Sequence, residues 1–338
     1  MRSLIPSRRR LPALAAPALA AAALVAGCGS SSSSGSDDGG GSPATTASAR
    51  ATPIDVVATT TQLGDVVRSI GGAAVDVHQI LKPNSDPHDY EPRPDDIQQT
   101  AGAKLVVTSG DHLDQWIGQV VDNAGGNPAQ LDAGAGRPVA LPGDPSGAEA
   151  SRFDPHWWHD PRNVRYAVDR IRAALIAADP SAKAAIDRGA DAYLAKLDTL
   201  DAGIQACIGR VPAARRRLVT DHDAFAYFAH RYGIDVVGAV IPSQTTQAQP
   251  SAGDLAKLSE VIGREHVSAV FPESSINPKL ARAIARQTGA SADHTLYGDT
   301  LGPAGSPGGT YLGMEQANAD AMVRGFTGGK EGCTIAGL

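Results

Sequence analysis

Several protein classes need features that this sequence has little of. Its 338 residues include only 3 Cys, too few for a disulfide-built scaffold. A chain this long has core enough to fold without such staples. The apolar run from Leu11 to Ala26 stops short of the roughly 20 residues that a membrane-spanning helix needs, and it contains Pro12 and Pro17. Positive charge is scarce. The formal net charge is −6, and four of the 30 basic residues (Arg2, Arg8, Arg9, Arg10) stand in the first ten positions, leaving the rest with 26 Lys and Arg against 36 Asp and Glu. That balance argues against nucleic acid as a partner, because phosphate contacts need clustered cations. No His-Glu-x-x-His pattern and no nucleophile constellation is present, so the common hydrolase signatures are missing.

What is present begins with the N-terminus. A basic head followed by a short apolar stretch reads as a secretory signal over residues 1–27. Val25-Ala26-Gly27-Cys28 resembles the bacterial lipobox, in which the cysteine is lipidated and becomes the new N-terminus. A small-residue cleavage site beside an unrelated Cys28 is the alternative. Residues 28–52 are rich in Ser, Gly, Thr and Ala and cannot bury a core, so they read as a flexible tether of roughly 25–30 Å. The expected location is extracytoplasmic, lipid-anchored to the outer face of the bacterial cytoplasmic membrane. In that oxidising compartment the remaining pair, Cys207 and Cys333, reads as one disulfide, with two separate buried thiols as the alternative.

From Pro53 onward short apolar runs alternate with helical patterns. Strands are expected at Ile54–Ala58, Val75–Ile80 and Leu105–Thr108, and again at Leu218–Thr220, Val236–Val240 and Ala269–Phe271. Helices fall between them, at Leu63–Ile70, Ile97–Ala101, Leu113–Ala124, Ala224–Arg231 and Leu255–Glu265. This rhythm argues for parallel βα units in two lobes, at 53–178 and 212–338. Between the lobes, residues 179–211 read as a linking helix. Asp179-Pro180 supplies a cap and a first-turn proline, and Tyr193, Leu197, Leu200, Ile204 and Cys207 repeat at spacings of four and three.

Four segments carry metal-grade ligands: Asp86-Pro87-His88, Asp154-Pro155-His156, Asp221-His222-Asp223 and Gly298-Asp299-Thr300. They sit in loops or at strand ends, where open α/β sheets collect ligands. Two fall in each lobe, so one ion could bridge the cleft. Any one alone is weak: His222 could simply cap the next helix, and Trp157-Trp158 reads as core or lobe interface.

Taken together the segments resemble the cluster A-I solute-binding proteins of zinc and manganese ABC transporters, the ZnuA/TroA-like lipoproteins. The likeness rests on Asp86-Pro87-His88 with Tyr90-Glu91-Pro92, Asp154-Pro155-His156 with Trp158, His222-Asp223-Ala224-Phe225 with Tyr227-Phe228, Phe271-Pro272-Glu273, and Tyr297-Gly298-Asp299. It implies an α/β fold of two sandwich lobes joined by a long rigid helix, with the metal in the cleft. It also implies that His88, His156, His222 and Asp299 are the ligands. Three imidazoles and one carboxylate suit tetrahedral Zn²⁺. Relatives with Glu at the third position tend toward Mn²⁺, and His222 here favours zinc. His159 is a further candidate ligand, and Glu91, Asp160 and Glu273 are candidates to orient the imidazoles. The His-rich loop of many zinc members is lacking, since Pro142–Arg152 contains no His.

The resemblance implies a monomeric binding protein, not an enzyme, that delivers Zn²⁺ to a permease driven by a cytoplasmic ATPase. Mn²⁺ or Fe²⁺ is the alternative cargo. A secreted zinc hydrolase, with Glu273 as base, is the alternative class; Asp299 filling the position that water would need speaks against it. Neutral imidazoles are required for binding, so affinity is expected to fall as pH drops through about 6.5.

Overall fold

The computed structural model describes residues 52–147 and 149–338. The expected signal, Cys28 and nearly all of the tether lie outside them. The described residues form one compact unit. Its first half follows the order β1 (Ile54–Ala58), α1 (Thr61–Gly71), β2 (Val75–Gln79), α2 (Pro94–Gly102), β3 (Leu105–Thr108), α3 (Ile117–Ala124), β4 (Ala129–Asp132) and α4 (Pro161–Ala178). Then come α5 (Lys183–Arg210), β5 (Arg217–His222), α6 (Ala226–Tyr232), β6 (Asp235–Ile241), α7 (Ala252–Arg264), α8 (Lys279–Thr288) and α9 (Tyr311–Thr327).

All strand pairs are parallel, as the alternating pattern requires. The first sheet has the order β2-β1-β3-β4. In the second, β5 pairs with β6, and single parallel bridges Thr220–Phe271, Ala269–Ser291 and Glu273–Leu296 extend it. The second sheet thus repeats the first sheet's order with two irregular members. The expected strand at Ala269–Phe271 is one of them. Phe271 N donates to Val219 O at 2.8 Å, but Pro272 follows and has no N–H with which to continue the ladder.

Capping explains where the helices begin. Thr60 Oγ1 accepts from Leu63 N at 3.3 Å and starts α1. Asp160, followed by Pro161, caps α4. The expected helix at Leu113 begins only at Ile117; Gly110, Asp111 and His112 have positive φ, and the residues after them form successive tight turns, with Leu113 N bonded to Gly110 O and Ile117 N to Asp114 O.

The long helix is present. Pro180–Ala182 form a 3₁₀ turn capped by Asp179, and α5 runs unbroken for 28 residues, about 40 Å. Its two interior glycines mark contacts rather than breaks. A Cβ at Gly189 would fall on the main-chain oxygen of Ile70, and one at Gly203 on the side chain of Ile335. The helix packs on α1, α4, α6 and α9. Trp157 and Trp158 are buried, in a continuous apolar core that runs from Ile54 through α5 to Phe225, Phe228 and Phe326. Cys207 and Cys333, 126 positions apart in sequence, stand at disulfide distance, with S–S 2.13 Å.

Candidate metal centre

Beyond the carboxyl ends of both sheets, four side chains converge. His88 follows β2, His156 precedes α4, His222 ends β5 and Asp299 follows the last bridged segment of the second sheet. Among the described residues this is the group whose donor atoms could share an ion, all lying within 4.8 Å of one another. The four are buried, His88 at 4 % exposed and the others at 0 %.

Three of the distances carry the argument. His156 Nε2 lies 3.4 Å from His222 Nε2, His156 Nε2 3.4 Å from Asp299 Oδ1, and His222 Nε2 3.5 Å from the same oxygen. Zinc bonds of 2.0–2.1 Å in tetrahedral geometry set donor-to-donor edges of about 3.3 Å. These three atoms therefore already form one face of such a tetrahedron. His88 Nε2 stands further back, 4.0 Å from Asp299 Oδ2. Both oxygens of Asp299 and the Nε2 of His88 are buried without a hydrogen-bond partner, a costly state that a cation would relieve.

Each imidazole presents Nε2 because its Nδ1 is bonded behind to a carboxylate. Asp154 Oδ1 holds His156 at 2.7 Å, Glu273 Oε1 holds His222 at 2.9 Å and Glu149 Oε2 holds His88 at 2.6 Å. Such partners fix the ring tautomer and raise ligand basicity.

The sequence model of the ZnuA family, zinc-uptake complex component A, periplasmic, matches residues 56–325. The chain belongs to the ZnuA family. Among curated proteins, the iron-binding protein YfeA of Yersinia pestis is 31% identical over 279 residues, 82% of this chain and 88% of the relative. The manganese-binding lipoprotein MntA of Bacillus subtilis is 33% identical over 279 residues, 80% and 89% of the two chains. The solved structure of the periplasmic zinc-binding protein TroA from Treponema pallidum aligns with TM-score 0.74 and 31% identity, covering 81% of this chain and 99% of that one. As a ZnuA-family member the chain is a metal-binding solute-binding protein of cluster A-I, a transport component and not an enzyme. Glu273 agrees with that. Its Oε1 takes both the backbone N and the Nδ1 of His222, so it stands behind a donor rather than beside a position for water.

The charges in this ZnuA-type cluster oppose one another strongly. Burial would raise the Asp299 carboxyl, but His222, His156 and His88 hold it well below its usual range. Burial alone would lower His156, but Asp154 and Asp299 lift it to about 9. His222 is likewise raised well above its usual value, burial being outweighed by Glu273 and Asp299. Protons therefore compete for the site far above the pH of about 6.5 expected for free imidazole. Carboxylates that strengthen a ring as a ligand also strengthen it as a base.

Other sequence expectations fare differently. His159 does not join the donors. It is buried, its Nδ1 bonds Glu315 Oε1 of α9 at 2.8 Å, and its ring stacks on Phe225 with centroids 4.4 Å apart. His156 sits just before the 3₁₀ turn Trp157–His159, at φ −85° and ψ 36°, so the two rings do not share a face. Glu91 is exposed, and Glu149 does what was expected of it. Asp160 caps α4 and pairs with Arg162 at 2.6 Å rather than touching an imidazole. His222 ends a strand and caps no helix. Asp154 was legible in its own motif, whereas Glu149 lies in a Gly- and Pro-rich stretch that carries no signal.

Proposed function

We propose that this protein captures Zn²⁺ outside the cytoplasmic membrane and hands it to an ABC permease driven by a cytoplasmic ATPase. The ligands are His88, His156, His222 and Asp299, and Glu149, Asp154 and Glu273 orient the imidazoles. The observation that carries this reading is the face formed by His156, His222 and Asp299 at 3.4–3.5 Å, the spacing of a tetrahedral zinc sphere. Three nitrogens and one oxygen favour zinc over harder, oxygen-preferring Mn²⁺. With neutral imidazoles, three carboxylates stand behind the rings and Asp299 adds a fourth among the donors, and a divalent cation cancels part of that charge. On this reading the body divides into lobes 53–178 and 212–338 with the helix 179–211 between them. Cys28 is the lipid anchor, Cys207–Cys333 is a disulfide, and the protein acts as a monomer.

Mn²⁺ or Fe²⁺ cargo is the second reading, favoured by relatives named as manganese- and iron-binding. A competition titration of metal-stripped protein against a chelating indicator tests the choice. One tight equivalent of Zn²⁺ that outcompetes excess Mn²⁺, and weakens in His222→Ala, is expected. Preference for Mn²⁺, or indifference to His222, would overturn the zinc reading.

A further inference from the structure

Every imidazole in the site has a carboxylate behind it, but Asp299 has no such support. Its two oxygens accept no hydrogen bond outside the donor cluster, so its direction must come from its main chain. That main chain is held from the opposite lobe. Gln62 Nε2 donates to Asp299 O at 2.8 Å, Trp158 Nε1 to Gly298 O at 3.1 Å, and Leu301 N to Thr61 Oγ1 at 2.8 Å. Thr61 Oγ1 donates in turn to Gln62 Oε1 at 3.0 Å. Because that bond occupies the amide oxygen, the Gln62 NH₂ is the end that faces Asp299.

The position of this pair follows from the sequence. Thr60 caps α1, so Thr61 and Gln62 are its first two helical residues, just beyond the end of β1. Both are buried, at 1 % and 3 % exposed, where an unmade hydrogen bond is costly. On the other side of the loop, Gly298 cannot carry a side chain, since a Cβ there would fall on Glu273 Oε2. The loop is therefore pressed from behind by its own lobe and bonded in front by the other.

We infer that Thr61 and Gln62 are the positioning residues for Asp299. They do for the carboxylate donor what Asp154, Glu273 and Glu149 do for the imidazoles, and they do it across the cleft. Separating the lobes then withdraws Asp299 from the ion, which couples delivery to lobe movement. The inference rests on the proposed ligand set.

Gln62→Leu, Thr61→Val, Thr61→Ser and Asp299→Ala in the full chain test it. Zn²⁺ affinity is read by chelator competition, and donor geometry by the visible absorption bands of Co²⁺ bound in place of zinc. Gln62→Leu and Thr61→Val are expected to lose about 10- to 100-fold in affinity and to move the Co²⁺ bands in the same direction as Asp299→Ala. Thr61→Ser, which keeps the hydroxyl, should behave as the parent. Should Gln62→Leu fail to fold, the Val/Ser pair at Thr61 decides. A lower melting temperature with unchanged affinity and unchanged bands would reduce the pair to a structural tie and overturn the inference. If Asp299→Ala binds like the parent, the ligand set itself fails and the inference falls with it.

Discussion

Asp-Pro-His occurs twice, at 86–88 and 154–156, and makes the same local turn each time. Asp86 Oδ1 accepts from His88 N at 3.0 Å, and Asp154 Oδ1 accepts from His156 N at 2.9 Å. The intervening proline pre-sets that turn. Beyond the backbone the copies part. Asp154 uses the same oxygen to hold the His156 ring, and its own carbonyl is fixed by Arg137 Nη2 at 3.2 Å and Tyr227 Oη at 3.1 Å. Asp86 instead takes Thr246 Oγ1 at 2.6 Å and leaves the His88 ring to Glu149, 61 positions away on a loop. His156 accordingly stands at tetrahedral spacing and His88 does not. The motif supplies a donor; what surrounds it decides how far that donor is pre-placed.

Mutating the two histidines is the strongest way to break this comparison. A four-ligand zinc site binds with about 10–16 kcal/mol, so losing a pre-placed donor such as His156 should cost about 3 kcal/mol, or roughly a hundredfold in Kd. His88→Ala should cost distinctly less, and equal losses in chelator competition would refute the difference. One shell further out, Asp154→Asn should weaken binding by about tenfold or more, and Glu149→Gln by less. The same ranking should appear in zinc dissociation rates.

Protons sharpen the contrast. His156 titrates near 9 in the folded protein against about 6.5 unfolded. It therefore adds stability to the metal-free form below pH 6.5, and that stability is lost as pH rises through 9. At pH 7.5 zinc should displace a proton from His156, seen as a binding enthalpy that depends on the ionisation heat of the buffer. Asp154→Asn should remove the share of His156 from that dependence and leave the share of His222, which Glu273 and Asp299 also raise. The smallest effect on affinity is expected at the C-terminal end of α5. Replacing Cys207 and Cys333 together by Ser should leave zinc binding unchanged, while unfolding stability falls by about 2–4 kcal/mol.

Much of the frame was readable beforehand because its signals are local. Strands β1 and β3 fall at the expected residues, since short apolar runs are bounded by polar or helix-starting residues. The absence of proline after Pro180 predicts an unbroken α5, and the two glycines that threatened it prove to be places where a neighbour comes close. Asp160 shows a signal misapplied: Asp-Pro before a helix is a cap, as Asp179-Pro180 had been read to be. The role of Glu149 was not readable. It comes from a chain reversal in the 142–152 stretch, and nothing in Gly-Ala-Glu-Ala announces a partner for a histidine far upstream. The reach of Gln62 across the cleft was hidden for the same reason, because only tertiary structure brings α1 against the Asp299 loop.

The core that runs without interruption from β1 to α9 has a consequence for calorimetry. Two lobes with a flexible joint would melt separately, and an ion touching both would merge their peaks. Because the largest apolar cluster spans both halves of the body through α5, one endotherm is expected with or without zinc. Its midpoint should climb with the logarithm of free ion above Kd. The melting curve of the whole body then serves as a metal assay, and the appearance of a second peak would mark a fracture in the core rather than an empty site.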